Sequence, residues 1–382
     1  MTVLHSPIGP PADAPPLQGR PSGLVAWGDA DSSTLVCRQV QEITHDVRTF
    51  LFEPERPALF HHEPGQFVTL RLQVDGRSVS RCYTISTPPT RPRLLGITVK
   101  RQPGGLVSNW LHDTMSPGVR IEADGPFGVF TIARHPSARY LFLSGGSGIT
   151  PVMSMTRTLY DLGSDADVVF VHSARTPSDI VFRRELETIA STVPTVRVVP
   201  VCERDAPREA WGGLRGLLSV GMLRLLVPDV AERVVFCCGP APYMAAVRRM
   251  LGEVGFDMRN YHEESFSFED LTSKELTART DDGAADDGRH PASTARTYSV
   301  EFVRSGKTFT CAQDENVLDA AYAAGLSPLS SCGQGMCGTC KTTLLSGSVD
   351  MRHNGGIRPR EIDRNRILIC CSTPLSDLTI DS

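Results

Sequence analysis

The stretch S-C-G-Q-G-M-C-G-T-C, Ser331 to Cys340, sets cysteines at Cys332, Cys337 and Cys340, and a further one follows at Cys370 or Cys371 near the carboxyl end. Four residues separate the first two cysteines and two separate the next, which is the C-x4-C-x2-C…C spacing by which thiolates hold a [2Fe–2S] cluster. Each iron needs tetrahedral sulfur coordination completed by the protein, so four thiolates are required. Gly333, Gly335 and Gly338 suit a loop that bends tightly around a cluster, because such a loop needs positive-φ positions and close backbone approach, with amides pointing at sulfur. Structural zinc uses two cysteine pairs with short internal spacers, whereas the grouping here is three plus one.

Outward toward the carboxyl end, the segment Thr297 to Ser382 resembles a complete plant-type ferredoxin domain, with a strand over Tyr298 to Val303 and a helix over Val317 to Ala324. The resemblance implies an α+β β-grasp fold. It also implies that the fourth ligand stands four residues before a proline and seven before an acidic residue. Cys370 fits, with Pro374 and Asp377, so the implied ligands are Cys332, Cys337, Cys340 and Cys370, with Cys371 a bystander.

Outward in the other direction, Leu271 to Ala295 is rich in Thr, Asp, Gly and Ala, carries D-D-G-A-A-D-D-G at its centre and has no apolar period. It reads as a solvated tether, and some 25 flexible residues span roughly 25–30 Å. From Ala138 the pattern is of apolar strands alternating with helical segments: R-Y-L-F-L-S, D-V-V-F-V-H-S, V-R-V-V-P-V and R-V-V-F-C-C-G-P. Strands buried on both faces with helices between them predict a doubly wound parallel sheet, whose ligand lies at the carboxyl ends of the strands. The first such end is G-G-S-G-I-T-P, Gly145 to Pro151, a glycine turn that opens a helix and presents amides to a diphosphate. Glycine turns of this kind also serve packing alone, and Cys237 and Cys238 at the last strand end could pack as small hydrophobes.

Earlier still, from Leu35, short strand-like runs separated by Pro, Gly and Asp turns predict a small antiparallel barrel. Within it, R-C-Y-T-I-S-T, Arg81 to Thr87, places a cation, a ring and a hydroxyl on one strand. Then G-G-L-V-S-N-W-L, Gly104 to Leu111, reads as a turn opening a helix, with Ser108 placed to cap it. G-P-F-G follows at Gly125 to Gly128.

In this order, these stretches resemble the ferredoxin–NADP reductase superfamily. The resemblance implies that Arg81 pairs with the flavin pyrophosphate, Tyr83 packs on the isoalloxazine and Thr84 hydrogen-bonds near its reactive nitrogen. Gly105, Val107 and Ser108 then belong to the pyrophosphate loop. A helix start suited to a diphosphate favours FAD, although relatives fused to a ferredoxin at this end sometimes use FMN. On the nicotinamide side the resemblance implies Gly145, Gly146, Gly148, Thr150 and Pro151 as the binding loop. Cys238, with Gly239 and Pro240, then lies near the carbon that donates hydride, and an E-x-F element lays Phe266 against the flavin. A plain strand aromatic is the alternative for Phe266. Coenzyme choice turns on the end of the second strand. Ser173 and Arg175 there suit the 2′-phosphate of NADPH, Asp179 suits a ribose hydroxyl, and fused oxygenase reductases of this shape commonly use NADH, which is the expectation.

The expected organisation is therefore a multidomain chain: residues 1–30 a disordered leader, 31–135 an antiparallel flavin-binding β-barrel, 136–270 an α/β nicotinamide-binding domain, 271–295 a flexible linker and 296–382 the ferredoxin. The leader contains P-I-G-P-P-A-D-A-P-P and no apolar signal region, and no apolar run reaches the ~18 residues of a membrane span. A net charge of −4 gives no general reason to expect nucleic acid or an anionic membrane as partner. Eleven cysteines in a chain without a signal peptide suit a reducing cytoplasm.

The three parts imply an electron transducer: nicotinamide gives two electrons as hydride, flavin holds one or two, and the cluster passes them singly. The segment Gly347 to Asp363 resembles reductase components of Rieske oxygenases that demethylate glycine betaine and related quaternary amines, so a terminal oxygenase is the expected partner. A cytochrome P450 or hybrid-cluster protein is the alternative acceptor, and a non-enzymatic carrier or redox sensor would use the cluster alone. Arg352, Arg358, Arg360, Arg364 and Arg366 depart from the acidic surface of plant ferredoxins and are expected to meet an acidic oxygenase face.

Overall fold

The computed structural model of the chain describes residues 25–27, 33–265, 296–326, 328, 330, 333, 335, 338–353 and 355–382. Phe266, Cys332, Cys337 and the expected linker 271–295 lie outside the described residues.

The first unit is a six-stranded antiparallel sheet in the order Arg77–Thr84, Phe67–Val74, Arg120–Phe127, Thr34–Glu42, Val47–Pro54, Leu95–Lys100. Its two edges meet where Ile85 bridges Ile97, which curls the sheet into the expected barrel. The curling follows from strand alternation: along Phe67–Val74 the side chains of Val68, Leu70, Leu72 and Val74 are buried while Arg71 and Gln73 face water. Phe50, Phe52, Phe60, Ile85 and Ile97 complete the interior. Of the expected leader, residues 1–24 and 28–30 lie outside the described residues, and only residues 25–27 depart from the reading as disordered. Val25–Ala26 pairs in parallel with Ala58–Leu59, and the Trp27 ring, 4% exposed, packs 5.4 Å from that of Phe60. A single large indole buries enough apolar surface to pin a segment whose composition is otherwise unfavourable.

The second unit is an all-parallel sheet in the order Leu214–Arg215, Val196–Cys202, Asp167–Ala174, Arg139–Gly145, Val234–Cys238, Tyr261–Glu264. Successive residues of its strands feed two different cores. Phe142, Phe170 and Phe236 pack with Ile149, Val152 and Met153 of the helix Ile149–Asp161 on one face, and Leu141, Leu143, Val171 and Val235 pack with Met244, Val247 and Leu251 of the helix Ala241–Glu253 on the other. Both faces are covered, as in a doubly wound fold. The chain leaves Arg139–Gly145 on one side and returns to pair with it on the other at Val234–Cys238, so the switch point lies between Gly145 and Cys238. Barrel and sheet are tied together at the helix Ile149–Asp161. Arg157, 8% exposed, donates to Ser86 O at 2.6 Å and pairs bidentately with Glu185, Ser154 Oγ donates to Thr87 O at 2.9 Å, and Arg91 clamps Asp161.

The third unit is a mixed five-stranded sheet, Lys307–Ala312, Thr297–Phe302, Leu378–Ile380, Lys341–Ser346, Arg366–Leu368, crossed by the helix Val317–Ala323. Asn316 caps that helix, its side chain accepting from Asp319 N at 2.9 Å, and Val317, Leu318 and Ala321 bury against Val300, Phe302 and Ile380. No helix among the described residues is long and apolar enough to cross a membrane.

Candidate functional site

A cavity of about 140 Å³ on the barrel is lined by Arg81, Tyr83, Thr84, Lys100, Gln102, Ser108, Ser147 and Thr150. Two buried polar atoms here, Arg81 Nε and Thr84 Oγ1, have no partner among the described residues. A polar ligand suits such atoms, since burying them unpaired costs about 1–3 kcal/mol each. The residues therefore fit a flavin whose phosphates and ring edge carry acceptors.

The loop after this strand differs in one respect from the sequence reading. The helix spans Leu106–Thr114 with Gly105 at its N-cap, so Ser108 lies inside the first turn and does not cap it. Its hydroxyl accepts from Gln102 N at 3.1 Å and donates to Gly105 O at 3.4 Å, so it closes the turn from within. A side chain at Gly105 would stand 2.5 Å from Ser108 Oγ, which explains the glycine. Val107 points into the barrel core and offers the site only its backbone.

A second, larger cavity of about 580 Å³ lies at the switch point, lined by Gly145, Gly146, Ser147, Ser173, Arg175, Asp179, Glu203, Pro240 and Tyr243. Lys100, Gln102 and Ser147 line both cavities, so the two ligand spaces adjoin. The backbone is packed to its limit between them. A Cβ on Gly148 would run into the carbonyl of Cys238 and stand 2.6 Å from Gly239 Cα, and one on Gly239 would stand 2.8 Å from the Tyr243 ring. Pro151 is buried in the first turn of the following helix. At the second strand's end Asp179 accepts from Thr176 Oγ1 at 2.7 Å, which ties down the carboxylate, while Arg175 faces the cavity.

Cys238 is fully buried, and burial, reinforced by the Glu264 carboxyl, pushes its thiol well above the ordinary range. It is a neutral, compact side chain rather than a nucleophile. Its register partner on the next strand is Glu264, a residue that sequence reasoning passed over in favour of Phe266 two positions on. Burial, with Cys82 nearby, raises the Glu264 carboxyl to about 8, and its Oε2 meets no hydrogen-bond partner among the described residues. A buried carboxyl thus sits beside the cysteine at the end of its strand, and neither residue lines either cavity. Lys100 and Gln102 were also missed, because nothing in their spacing sets them apart from an ordinary strand end.

In the third unit Cys340 and Cys370 are both buried. Gly335 N–H donates to Cys370 Sγ at 3.2 Å, the amide-to-sulfur geometry that a thiolate ligand of a cluster calls for. Gly335 has φ of +67°, and a Cβ there would stand 2.7 Å from Cys371 Sγ, so only glycine fits this bend. The Cys371 thiol instead donates to Leu368 O. Cys370 and the amide aimed at it fit a [2Fe–2S] cluster.

Fold and site together define an oxidoreductase that binds flavin and nicotinamide and carries an iron–sulfur module on the same chain. Three family models match in order: an oxidoreductase FAD-binding domain over residues 34–132, an oxidoreductase NAD-binding domain over 142–249 and a 2Fe-2S iron-sulfur cluster binding domain over 301–375. The glycine betaine monooxygenase reductase subunit of Pseudomonas aeruginosa (strain UCBPP-PA14) is 47% identical over 90% of this chain and 94% of its own length. The stachydrine N-demethylase reductase subunit of Rhizobium meliloti (strain 1021) is 42% identical over 94% of this chain and 98% of its own. Among solved structures, phthalate dioxygenase reductase superposes with a TM-score of 0.53 at 24% identity, covering 91% of this chain and 97% of that one, which is a likeness of fold. The chain belongs to the family of oxygenase reductase components that includes these subunits.

Proposed function

We propose that this chain draws electrons from NADH, passes them through FAD and a [2Fe–2S] cluster, and delivers them to a Rieske-type oxygenase that demethylates glycine betaine or a closely related quaternary amine. The observation that carries the acceptor class is the 47% identity, sustained over 94% of the length of a glycine betaine monooxygenase reductase subunit. Bound nicotinamide, flavin and cluster supply the redox chemistry, and the protein's part is placement and tuning.

In this reading Arg81 and the amides of the Gly105–Ser108 turn hold the flavin diphosphate, Tyr83 borders the ring and Thr84 donates to its edge. Gly145 and Gly146 border the space the coenzyme would take at the strand ends, and Gly148 lets this loop close against the backbone of Cys238 and Gly239. Lys100 borders both cavities, with its ammonium paired to Asp46 at 3.1 Å. Cys238 leaves room for one ring to stack on another, with Thr150, Pro151, Gly239 and Pro240 forming the surrounding wall. Ser173 and Arg175 face the coenzyme's ribose end. Phe266 would close the flavin from the other side. Cys332, Cys337, Cys340 and Cys370 hold the cluster.

The basic surface is divided by the fold. Arg352 pairs with Asp350 and is exposed, as is Arg364, whereas Arg358 turns inward onto Glu361 and Gly125. Arg352 and Arg364 are therefore the residues proposed to meet the oxygenase. The test is reconstitution with the oxygenase subunit and NADH, reading formaldehyde released from glycine betaine against other quaternary amines. Formaldehyde from none of them, with the reductase loaded and reducible, would remove the acceptor assignment.

A further inference from the structure

The segment G-P-F-G-V, residues 125–129, which ends the strand Arg120–Phe127, is where the barrel meets the ferredoxin unit. Lys341 Nζ stands 4.8 Å and Arg358 Cζ 5.9 Å from the centroid of the Phe127 ring, so two cations bracket one aromatic. Glu361 holds both of them, accepting from Lys341 Nζ at 2.7 Å and Arg358 Nε at 3.3 Å. Arg358 Nη1 reaches past the ring to donate to Gly125 O at 3.3 Å. A Cβ on Gly355 would stand 3.0 Å from Val129 Cγ1 and 3.3 Å from the Gly128 carbonyl carbon, so the ferredoxin backbone lies close against the barrel there, and a Cβ on Gly338 would stand at ordinary contact distance, 3.5 Å, from Phe127. Phe127 is 1% exposed in this arrangement.

The other side of the ring leads to the flavin cavity. Phe67 is the register partner of Phe127 on one neighbouring strand and of Thr84 on the other, and the two phenylalanine rings lie 6.2 Å apart. Thr84 lines the flavin cavity. On the ferredoxin side Gly338 directly follows Cys337, and Lys341 directly follows Cys340. A single rung of the barrel thus runs from the flavin cavity to the cysteine loop.

We propose that Phe127 is the docking post on which the ferredoxin unit, gripping with Lys341 and Arg358, seats its cluster loop for reduction by the flavin. Phe127 and Arg358 are positioning residues: they fix the distance and orientation between two ligand sites and touch neither ligand. The inference rests on the reading of the chain as a flavin-to-cluster carrier. That reading fails if NADH does not bleach the cluster of the unaltered protein, whereas the docking inference is tested on variants of a protein that does.

The experiment uses full-length, loaded protein with Phe127→Leu, Phe127→Tyr and Arg358→Ala, mixed anaerobically with NADH in a stopped-flow instrument. Flavin bleaching should keep its rate in all three. Subsequent cluster bleaching should slow by roughly tenfold in Phe127→Leu and Arg358→Ala, the effect of losing a cation–aromatic grip, and return toward the unaltered rate in Phe127→Tyr. Amide hydrogen exchange in segments 125–130 and 338–342 should rise in the two slow variants and not across 67–74. If Phe127→Leu loads flavin poorly, Arg358→Ala, which lies on the other unit, carries the test. Unchanged cluster bleaching in Arg358→Ala, or slowing without increased exchange at the contact, would overturn the proposal.

Discussion

Replacing Glu264 with Gln separates a structural carboxyl from a proton-holding one. In the folded chain burial holds this carboxyl at about 8, against an ordinary value of 4.5. Between those values the folded protein keeps a proton that the unfolded chain has released, so stability is greatest below pH 4.5 and falls as pH rises, until the folded carboxyl also ionises near 8. At 1.36 kcal/mol per unit, a gap of roughly 3.5 units amounts to about 5 kcal/mol across the window. Gln keeps the shape and cannot ionise, so Glu264→Gln should flatten this part of the profile. Urea midpoints of the two proteins, followed by far-ultraviolet circular dichroism, should diverge progressively from pH 5 to 8 and run parallel above it. Infrared difference spectra between them should show a protonated carboxyl band that disappears with a midpoint near 8. A midpoint near 4.5, or parallel urea profiles throughout, would refute the reasoning from burial.

Gly148→Ala places a methyl against the backbone of Cys238 and Gly239, which cannot move aside as a side chain would. A loss of roughly 3 kcal/mol in stability and at least a tenfold rise in the KM for NADH are expected, read by thermal unfolding and steady-state ferricyanide reduction. Cys370→Ser should abolish the visible cluster bands while Cys371→Ser keeps them, because the Gly335 amide is aimed at Cys370; the reverse pattern would reassign the ligand. NADH should be the preferred coenzyme. Arg175→Ala should weaken use of NADPH by about 10- to 100-fold, the worth of a charge-assisted phosphate contact, with a smaller effect on NADH in parallel KM measurements.

Much of the fold was legible because several signals are local. The spacing of Cys332, Cys337 and Cys340, the glycine turn at Gly145 and the switch from alternating to continuous apolar strands each lie within a short window, and few other structures would produce them. What escaped depends on register between distant strands. Glu264 matters because it pairs with Cys238, 26 positions away, and the sequence around it drew attention to Phe266 instead. Lys100 and Gln102 gain their place only because the barrel edge abuts the parallel sheet. Ser108 was read as a cap from its residue type, but the glycine three positions earlier already had the extended backbone of an N-cap, leaving the serine to close the turn from inside. Arg358, one of five arginines expected to face a partner, turned out to be partly spent within the chain. Charge patterning does not reveal which cations a fold will keep for itself.

An anaerobic titration with NADH tests the central claim, that flavin and cluster share one chain and one electron supply. With a two-electron flavin and a one-electron cluster in contact, the flavin and cluster bands should both bleach completely at about 1.5 equivalents of NADH per chain. Bleaching that stops at about one equivalent with the cluster still oxidised would contradict the account.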